Sequence, residues 1–407
     1  MPRRILIITN RIPFPLKDGG AMAMDSMIRG YHRAGWQVFL LAMHTSRHQL
    51  PPQTLQQLYR ELYAFEAVDT DNRLRPGAVI GNLLLRSTPE HADRFHTPAF
   101  RERLEQILQS FDPHVIQLES IYLNTYLETF RQHSNALLVQ RLHNIECQIW
   151  RRLAGETRNP VKRWYLRNLA GRIKRFEQEA WEDADLLLPI TGADAAVIRD
   201  TGCQTELYIT PFGIETVARA QAGAPEEQMW RHGYHIGAMD WRPNRDAMQW
   251  FIRDIWPEVH REAPSFRFSF AGRVMPDKLK RHLPEGVTCR GEVADAHAFI
   301  RDKQVLIVPL RSAGGIRVKI LEAMAAGKLV ISTGTGMQGI DAEPGIHYLR
   351  ADTPAEFVQH IKDTVADTAA AQAIARQGQE LVRKYYDRHK IMTGLLDKLE
   401  QAVAAKG

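Results

Sequence analysis

The segment VLIVPLRSAGGIRVKILEAMAAG, residues 305–327, gathers groups that an anionic, hydroxyl-bearing ligand needs. An apolar run leads into a small-residue loop and then a helical pattern. Gly314 and Gly315 remove side chains where that helix begins. Its first amides and the positive end of its dipole then face whatever the loop cradles. Arg317 and Lys319 add formal positive charge. On one regular helix they would point about 200° apart, at roughly 100° per residue. Both can face a diphosphate only if Arg317 belongs to the loop and the helix starts near Val318, which is the expected start. Glu322 stands one turn later, and helical side chains tilt toward the N-terminus, so its carboxylate can reach back to the same ligand. There it would repel phosphate but accept bonds from two ribose hydroxyls. The alternative is a solvated face with Lys319 and Glu322 as an i,i+3 pair. The apolar LEAMAAG around Glu322 speaks against that.

Other chemistry-bearing residues also follow apolar runs. Arg273 comes after FRFSFAG, with Lys278 and Lys280 close behind, and could clamp a phosphate bidentately. LLVQRL runs into His143-Asn144-Ile145-Glu146. An imidazole there can bond a sugar hydroxyl or stabilise developing charge, or it can cap the strand end through the backbone. In NRIPFPLKDGG, residues 10–20, two prolines stiffen the entry and Gly19-Gly20 opens a helix whose free N–H groups attract anions. The fingerprint G-x-G-x-x-G is absent, which disfavours a nicotinamide dehydrogenase.

The elements that must hold these loops alternate. Apolar runs at 4–10, 37–43, 114–119, 137–142, 185–190 and 206–210 are separated by helical patterns such as 21–34, 99–110 and 166–184. After TVARAQAGAPEEQMW (216–230), small, polar and without period, runs resume at 234–239, 266–272, 287–290, 305–310, 328–333 and 347–350. Helices are expected there at 244–262, 295–302, 317–326 and 354–365. Strands apolar throughout, alternating with helices, predict an α/β protein of two Rossmann-like, doubly wound domains. A chain of 407 residues is also too long for one ordinary domain. The expected bounds are 1–215, a linker at 216–230, a second domain at 231–385, and a C-terminal helix at 386–407 that could pack back on the first domain. Two such domains would face across a cleft lined by the loops after the strands.

Composition excludes several classes. Apolar residues are 44% and charged residues 25%, as in soluble globular proteins. Cys147, Cys203 and Cys289 are far apart and in no metal-ligand spacing, so they read as inert thiols of a reduced compartment. MPRRILIITN has too short an apolar run for a signal peptide, and no stretch reaches about 18 apolar residues. A cytoplasmic protein is expected. A net charge of +6 suits an anionic ligand such as a nucleotide diphosphate, or an anionic membrane face, without indicating nucleic acid. The basic segment 151–175 could lie on such a membrane at the inner face of the cell, or form a solvated helical pair packed through Trp, Leu and Ile.

In order, RIPFPLKDGGAMAM (11–24), HNIE (143–146), DADLLLPITGADAAVI (183–198), ITPFGIE (209–215), GAMDWRPNRDAMQWF (237–251), FAGR (270–273) and PLRSAGGIRVKILEAMAAGKLVIST (309–333) resemble a GT-B-fold glycosyltransferase, similar to glycosyltransferase family 4. The resemblance covers nearly the whole chain. It implies that the first domain binds a saccharide or lipid-linked acceptor and the second a UDP- or GDP-sugar. It implies that the Gly19-Gly20 loop approaches the donor phosphates and acceptor, with Asp18, Asn144 and Glu146 on the acceptor side. His143 would contact the donor sugar. Arg273, with Lys278 nearby, would neutralise the leaving diphosphate. Gly314, Gly315, Ile316, Arg317 and Lys319 would line the donor, and Glu322, matching the second glutamate of E-x7-E, would hold the ribose. Transfer with retention and no metal or other cofactor is implied. The sequence departs at Gly314, where the first glutamate of that pattern is expected, and at GAMD, where the family usually carries a cation. Arg317 and Lys319 are expected to supply that charge. A decayed transferase acting as a binding or scaffolding module, and a GT-B-fold nucleotide-sugar epimerase, remain as alternatives.

Overall fold

The computed structural model describes residues 2–16, 19–45, 50–71, 89–216, 226–312 and 315–406. Asp18 and Gly314 lie outside the described residues, as do residues 217–225 of the expected linker. The chain divides into unit 1, Met1–Pro211 with Ile391–Gly407, and unit 2, Phe212–Lys390.

Unit 1 alternates β1 (Arg4–Thr9), α1 (Gly19–Arg33), β2 (Gln37–Thr45), β3 (Ala64–Thr70), α2 (Pro98–Phe111), β4 (Val115–Leu118), β5 (Leu137–Leu142), α3 (Glu146–Glu156), α4 (Pro160–Asp183), β6 (Leu186–Pro189), α5 (Gly192–Asp200) and β7 (Glu206–Leu207). Its seven strands are ordered β3-β2-β1-β4-β5-β6-β7, and every neighbouring pair is parallel. A parallel sheet is covered on both faces, so its central strands are buried at nearly every position. In β1, Leu6 and Ile8 enter one core and Ile5 and Ile7 the other, the period-2 alternation of a strand. Strand β3 was not expected from the sequence: AFEAVDT carries Glu66, Asp69 and Thr70 and is only half-buried, apart from exposed Asp69 and buried Thr70, so it lacks the apolar signature of its neighbours.

Unit 2 contains β8 (His232–Ile236), α6 (Arg242–Trp250), α7 (Trp256–Glu262), β9 (Arg267–Ala271), β10 (Val287–Cys289), α8 (Ala296–Ile300), β11 (Val305–Val308), α9 (Val318–Ala325), β12 (Leu329–Ser332), β13 (Leu349–Arg350), α10 (Pro354–Ala366) and α11 (Thr368–Tyr385). Its six strands are ordered β10-β9-β8-β11-β12-β13, also all parallel. The helix expected over 244–262 is interrupted by a π turn at Phe251–Ile255. Pro257, just beyond it, has no N–H for the i→i−4 ladder, and a wider turn accommodates that gap. The last helix, α12 (Arg388–Lys406), returns to unit 1. Its Leu395 and Leu399 are fully buried in the same core as Ile5 and Ile7.

Candidate active site

In unit 1 the order of strands reverses between β1 and β4. Ligands of open parallel sheets bind beyond the strand ends at such a point. A cavity of about 330 Å³ lies there, lined by Asn10, Arg11, Gly20 and Met24 after β1, by Glu119–Tyr122 after β4, by Arg141 and Leu142 at the end of β5, and by His143, Asn144 and Glu146 after it. The expected residues Gly20, His143, Asn144 and Glu146 therefore share one pocket. Gly19 immediately precedes it, at the first position of α1.

Three groups that sequence reasoning missed stand behind His143. Its Nε2 is 2.8 Å from Oε2 of Glu119, whose side chain is fully buried. Arg141 Nη1 approaches the same oxygen at 3.4 Å and donates to Ala23 O at 3.1 Å. Gln117 Nε2 donates to Glu119 Oε1 at 2.5 Å. Burial alone would raise the Glu119 pKa, but the Arg141 charge and the bonds from His143 and Gln117 outweigh it and bring it to about 2. The available signal was polar residues inside apolar runs, Gln117 and Glu119 in VIQLE and Arg141 in LLVQRL. A buried strand does not carry such groups without partners.

In unit 2 the site loops are built around close backbone packing. A Cβ on Gly272 would lie 1.8 Å from Gly237 O, and one on Gly237 would lie 2.6 Å from Asn244 Nδ2. Gly237 N donates to Ala271 O, and Met239 N to Arg273 O, each at 3.0 Å. Arg273 is half-buried with Nη2 3.6 Å from Asp240. Lys278 is exposed on the single turn Asp277–Leu279, and no contact joins it to Arg273.

Helix α9 begins at Val318 with Arg317 at its N-cap, the start the sequence argument required. Gly315 has φ +73°, a left-handed conformation suited to glycine. Ile316 is half-buried beside it. Arg317 Nε donates to Gly336 O at 2.9 Å and Nη2 to Gln338 O at 2.5 Å. Its Nη1 is buried and has no hydrogen-bond partner among the described residues. Burial pulls the Arg317 pKa down to about 10.

Arg317 and Lys319 are not brought together on one ligand. Lys319 Nζ reaches His235 Nε2 and Ile236 O, each at 3.0 Å, and Asn244 Oδ1 at 3.1 Å. His235 Nδ1 bonds the Ile307 carbonyl at 2.8 Å, so Nδ1 donates and Nε2 accepts from Lys319. Three acceptors use all three protons of the ammonium, which leaves none for a phosphate. Burial, with the Arg317 charge adding to it, lowers the Lys319 pKa to about 7. Glu322 is half-buried. After burial, its charge is the next cause that pushes up the Tyr234 phenol.

Residues 232–367 match the family model Glycosyl transferases group 1. An uncharacterized 44.6 kDa protein in the cps region of Klebsiella pneumoniae is 19% identical over 406 residues, which cover 96% of this chain and 98% of that one. The structure resembles sucrose-phosphate synthase of Thermosynechococcus elongatus with a TM-score of 0.67 at 15% identity, over 99% of this chain and 100% of that one. It resembles HepE of Anabaena, crystallised in complex with UDP, with a TM-score of 0.65 at 15% identity, over 98% and 100%. Residues 232–367 thus match a glycosyl transferases group 1 domain, and the two parallel α/β units share the GT-B fold of these structures.

Proposed function

We propose that the chain moves a sugar from a UDP- or GDP-sugar held by unit 2 to a hydroxyl of a saccharide or lipid-linked acceptor held by unit 1. Transfer proceeds with retention and without a metal. The observation that carries this is Arg317. Its side chain is almost wholly buried, yet Nη1 has no hydrogen-bond partner among the described residues, at the start of an eight-residue helix inside the group 1 domain. A buried guanidinium donor left unmade is costly, and a diphosphate oxygen would complete it. Arg273 and Lys278 add charge for the leaving diphosphate, while Glu322 accepts from ribose hydroxyls. Gly315 and Ile316 line the donor. Lys319 acts from behind, holding the Gly237 turn through Ile236 O and Asn244. The UDP bound by the similar HepE supports the donor class.

The test is thermal shift of the full chain with UDP, GDP and their sugars, followed by transfer assays and the anomeric configuration of the product by NMR. A ligand that binds only the folded state raises the melting temperature. A melting temperature unmoved by every nucleoside diphosphate at millimolar concentration would overturn the proposal.

A lipid-linked acceptor brings a membrane face. Segment 151–175 carries nine Lys and Arg against Glu156 alone, more positive charge than the whole chain's +6, so the remainder is net negative. It lies in the α3–α4 hairpin, where Ile149, Leu153, Val161 and Trp164 are exposed, Trp164 at 61%. Trp164 is not packed inward as the solvated-pair alternative required. Exposed apolar groups among cations suit an anionic bilayer surface. Among the described residues no helix is long and apolar enough to cross a membrane.

A further inference from the structure

His143, expected from the resemblance to contact the donor sugar, lines the unit 1 pocket, and buried polar groups stand behind it that the proposed function leaves without a task. We infer that Glu119 is the positioning residue of His143: its carboxylate takes the imidazole Nε2–H and leaves Nδ1 as the hydrogen-bond acceptor for a substrate hydroxyl in the unit 1 pocket.

The bonds determine the tautomer. An ionised carboxylate can only accept, so the ring nitrogen 2.8 Å from Glu119 Oε2 must carry the proton. The other carboxylate oxygen is occupied by the Gln117 amide at 2.5 Å. Gln117 cannot be turned round, because its amide oxygen would then face a carboxylate that can only accept; its Oε1 instead accepts the Tyr31 hydroxyl at 2.6 Å. Arg141, 1% exposed, keeps the carboxylate charged without solvent. Its bond to Ala23 O ties the pair to α1, whose Gly20 and Met24 line the same pocket. His143 Nδ1 has no hydrogen-bond partner among the described residues. The imidazole is partly open, with 19% of its side chain exposed.

A purely structural role accounts poorly for this arrangement. A buried Arg–Glu pair adds little stability over apolar residues of similar volume, because both charges must be desolvated. Here the pair holds one orientation of one imidazole at a cavity wall, which apolar residues cannot do. This inference rests on the transferase reading for the identity of the hydroxyl, but not for the tautomer.

Two measurements test it. Side-chain ¹⁵N NMR of the full chain at pH 8 should show His143 protonated at Nε2 and bare at Nδ1. The opposite tautomer would overturn the inference and leave the transferase reading intact. In a double-mutant cycle, Glu119→Gln should lower kcat on the order of 100-fold, yet by less than about threefold in a His143→Ala background, because residues acting as a unit are not additive. Costs that multiply across the two backgrounds would show Glu119 acting apart from His143 and would also overturn it. If Glu119→Gln does not fold, the NMR measurement on the unaltered chain decides alone. A chain that transfers no sugar but shows the Nε2–H tautomer would refute the proposed function and keep the positioning.

Discussion

The Glu177 carboxylate, from the third quarter of α4, accepts the backbone amide of Glu146 at 2.6 Å. Its second oxygen takes the Cys147 amide at 3.0 Å. Helix α3 has Ile145 at its N-cap, which has no side chain to accept a bond. The free amides of its first turn are therefore capped from a neighbouring helix. The start of α3 follows directly on His143 and Asn144, so Glu177 sets where the pocket wall ends.

Burial first, with the nearby Glu146 charge adding to it, raises the Glu177 pKa to about 7, against 4.5 unperturbed. A carboxyl raised on folding contributes stability that is present below the unfolded pKa and lost as pH rises through the folded one. Unfolding by denaturant should therefore show stability falling between about pH 4.5 and 7. Glu177→Gln should flatten that fall, and Glu177→Ala should cost about 1–2 kcal/mol through the lost cap. An unchanged pH slope in the Gln variant would show that another group titrates.

Arg317→Lys keeps the charge but loses the planar fork that spans the Gly336 and Gln338 carbonyls and leaves Nη1 for the proposed diphosphate. UDP affinity by calorimetry should fall at least about tenfold, roughly 1.4 kcal/mol. Unchanged affinity would remove Arg317 from the donor site.

Lys319 should behave differently from Arg317. Its pKa is lowered to about 7 from 10.5, so the unfolded chain binds the extra proton between those values. Stability from this group is present above about pH 10.5 and lost as pH falls through about 7. Chain stability should rise from pH 7 toward 10, and Lys319→Met should abolish that rise while weakening UDP less than Arg317→Lys does. A larger loss of UDP affinity from the Lys319 variant would place its ammonium on the donor.

These outcomes separate what was legible in the sequence from what was not. The loops after β1, β5, β9 and β11 could be placed because each follows an apolar run; the start of α9 at Val318 agrees with the expectation, but its reason does not hold, since Arg317 and Lys319 take separate partners. The destination of Lys319 was not legible, since His235 and Asn244 lie 84 and 75 residues away in sequence. Glu119 and Arg141 were passed over because they sit in runs read only for hydrophobicity. Trp164 shows the converse: an aromatic in a helical pattern reads as core, and only the hairpin geometry exposes it.

Gly272→Ala should fail more severely than a surface glycine change. The added methyl would meet the Gly237 carbonyl, a backbone atom with no rotamer to yield. Gly19→Ala, with nothing within 4 Å of its added Cβ, is the matched control. Thermal melts should place the first well below the wild type and the second close to it.

Co-sedimentation with vesicles containing anionic lipid should retain the chain at low salt and release it as salt rises, because each basic residue near such a surface is worth about 1 kcal/mol and is screened. Arg158→Glu with Lys162→Glu should abolish retention, and Trp164→Ala should weaken it at all salt concentrations. Equal retention on neutral vesicles would remove the electrostatic account, and retention by anionic polysaccharide alone would replace lipid with a glycan.

The return of α12 to unit 1 imposes an order of events. Residues 391–406 leave the ribosome after all of 212–390, yet Leu395 and Leu399 belong to the core built on β1. During synthesis the earlier-made unit must wait with part of one sheet face uncovered, while the later-made unit, contiguous in the chain, can finish first. Unit 2 is thus an insertion in an interrupted unit 1, and a cut after Lys390 would damage the half of the protein that lies farthest from it in sequence.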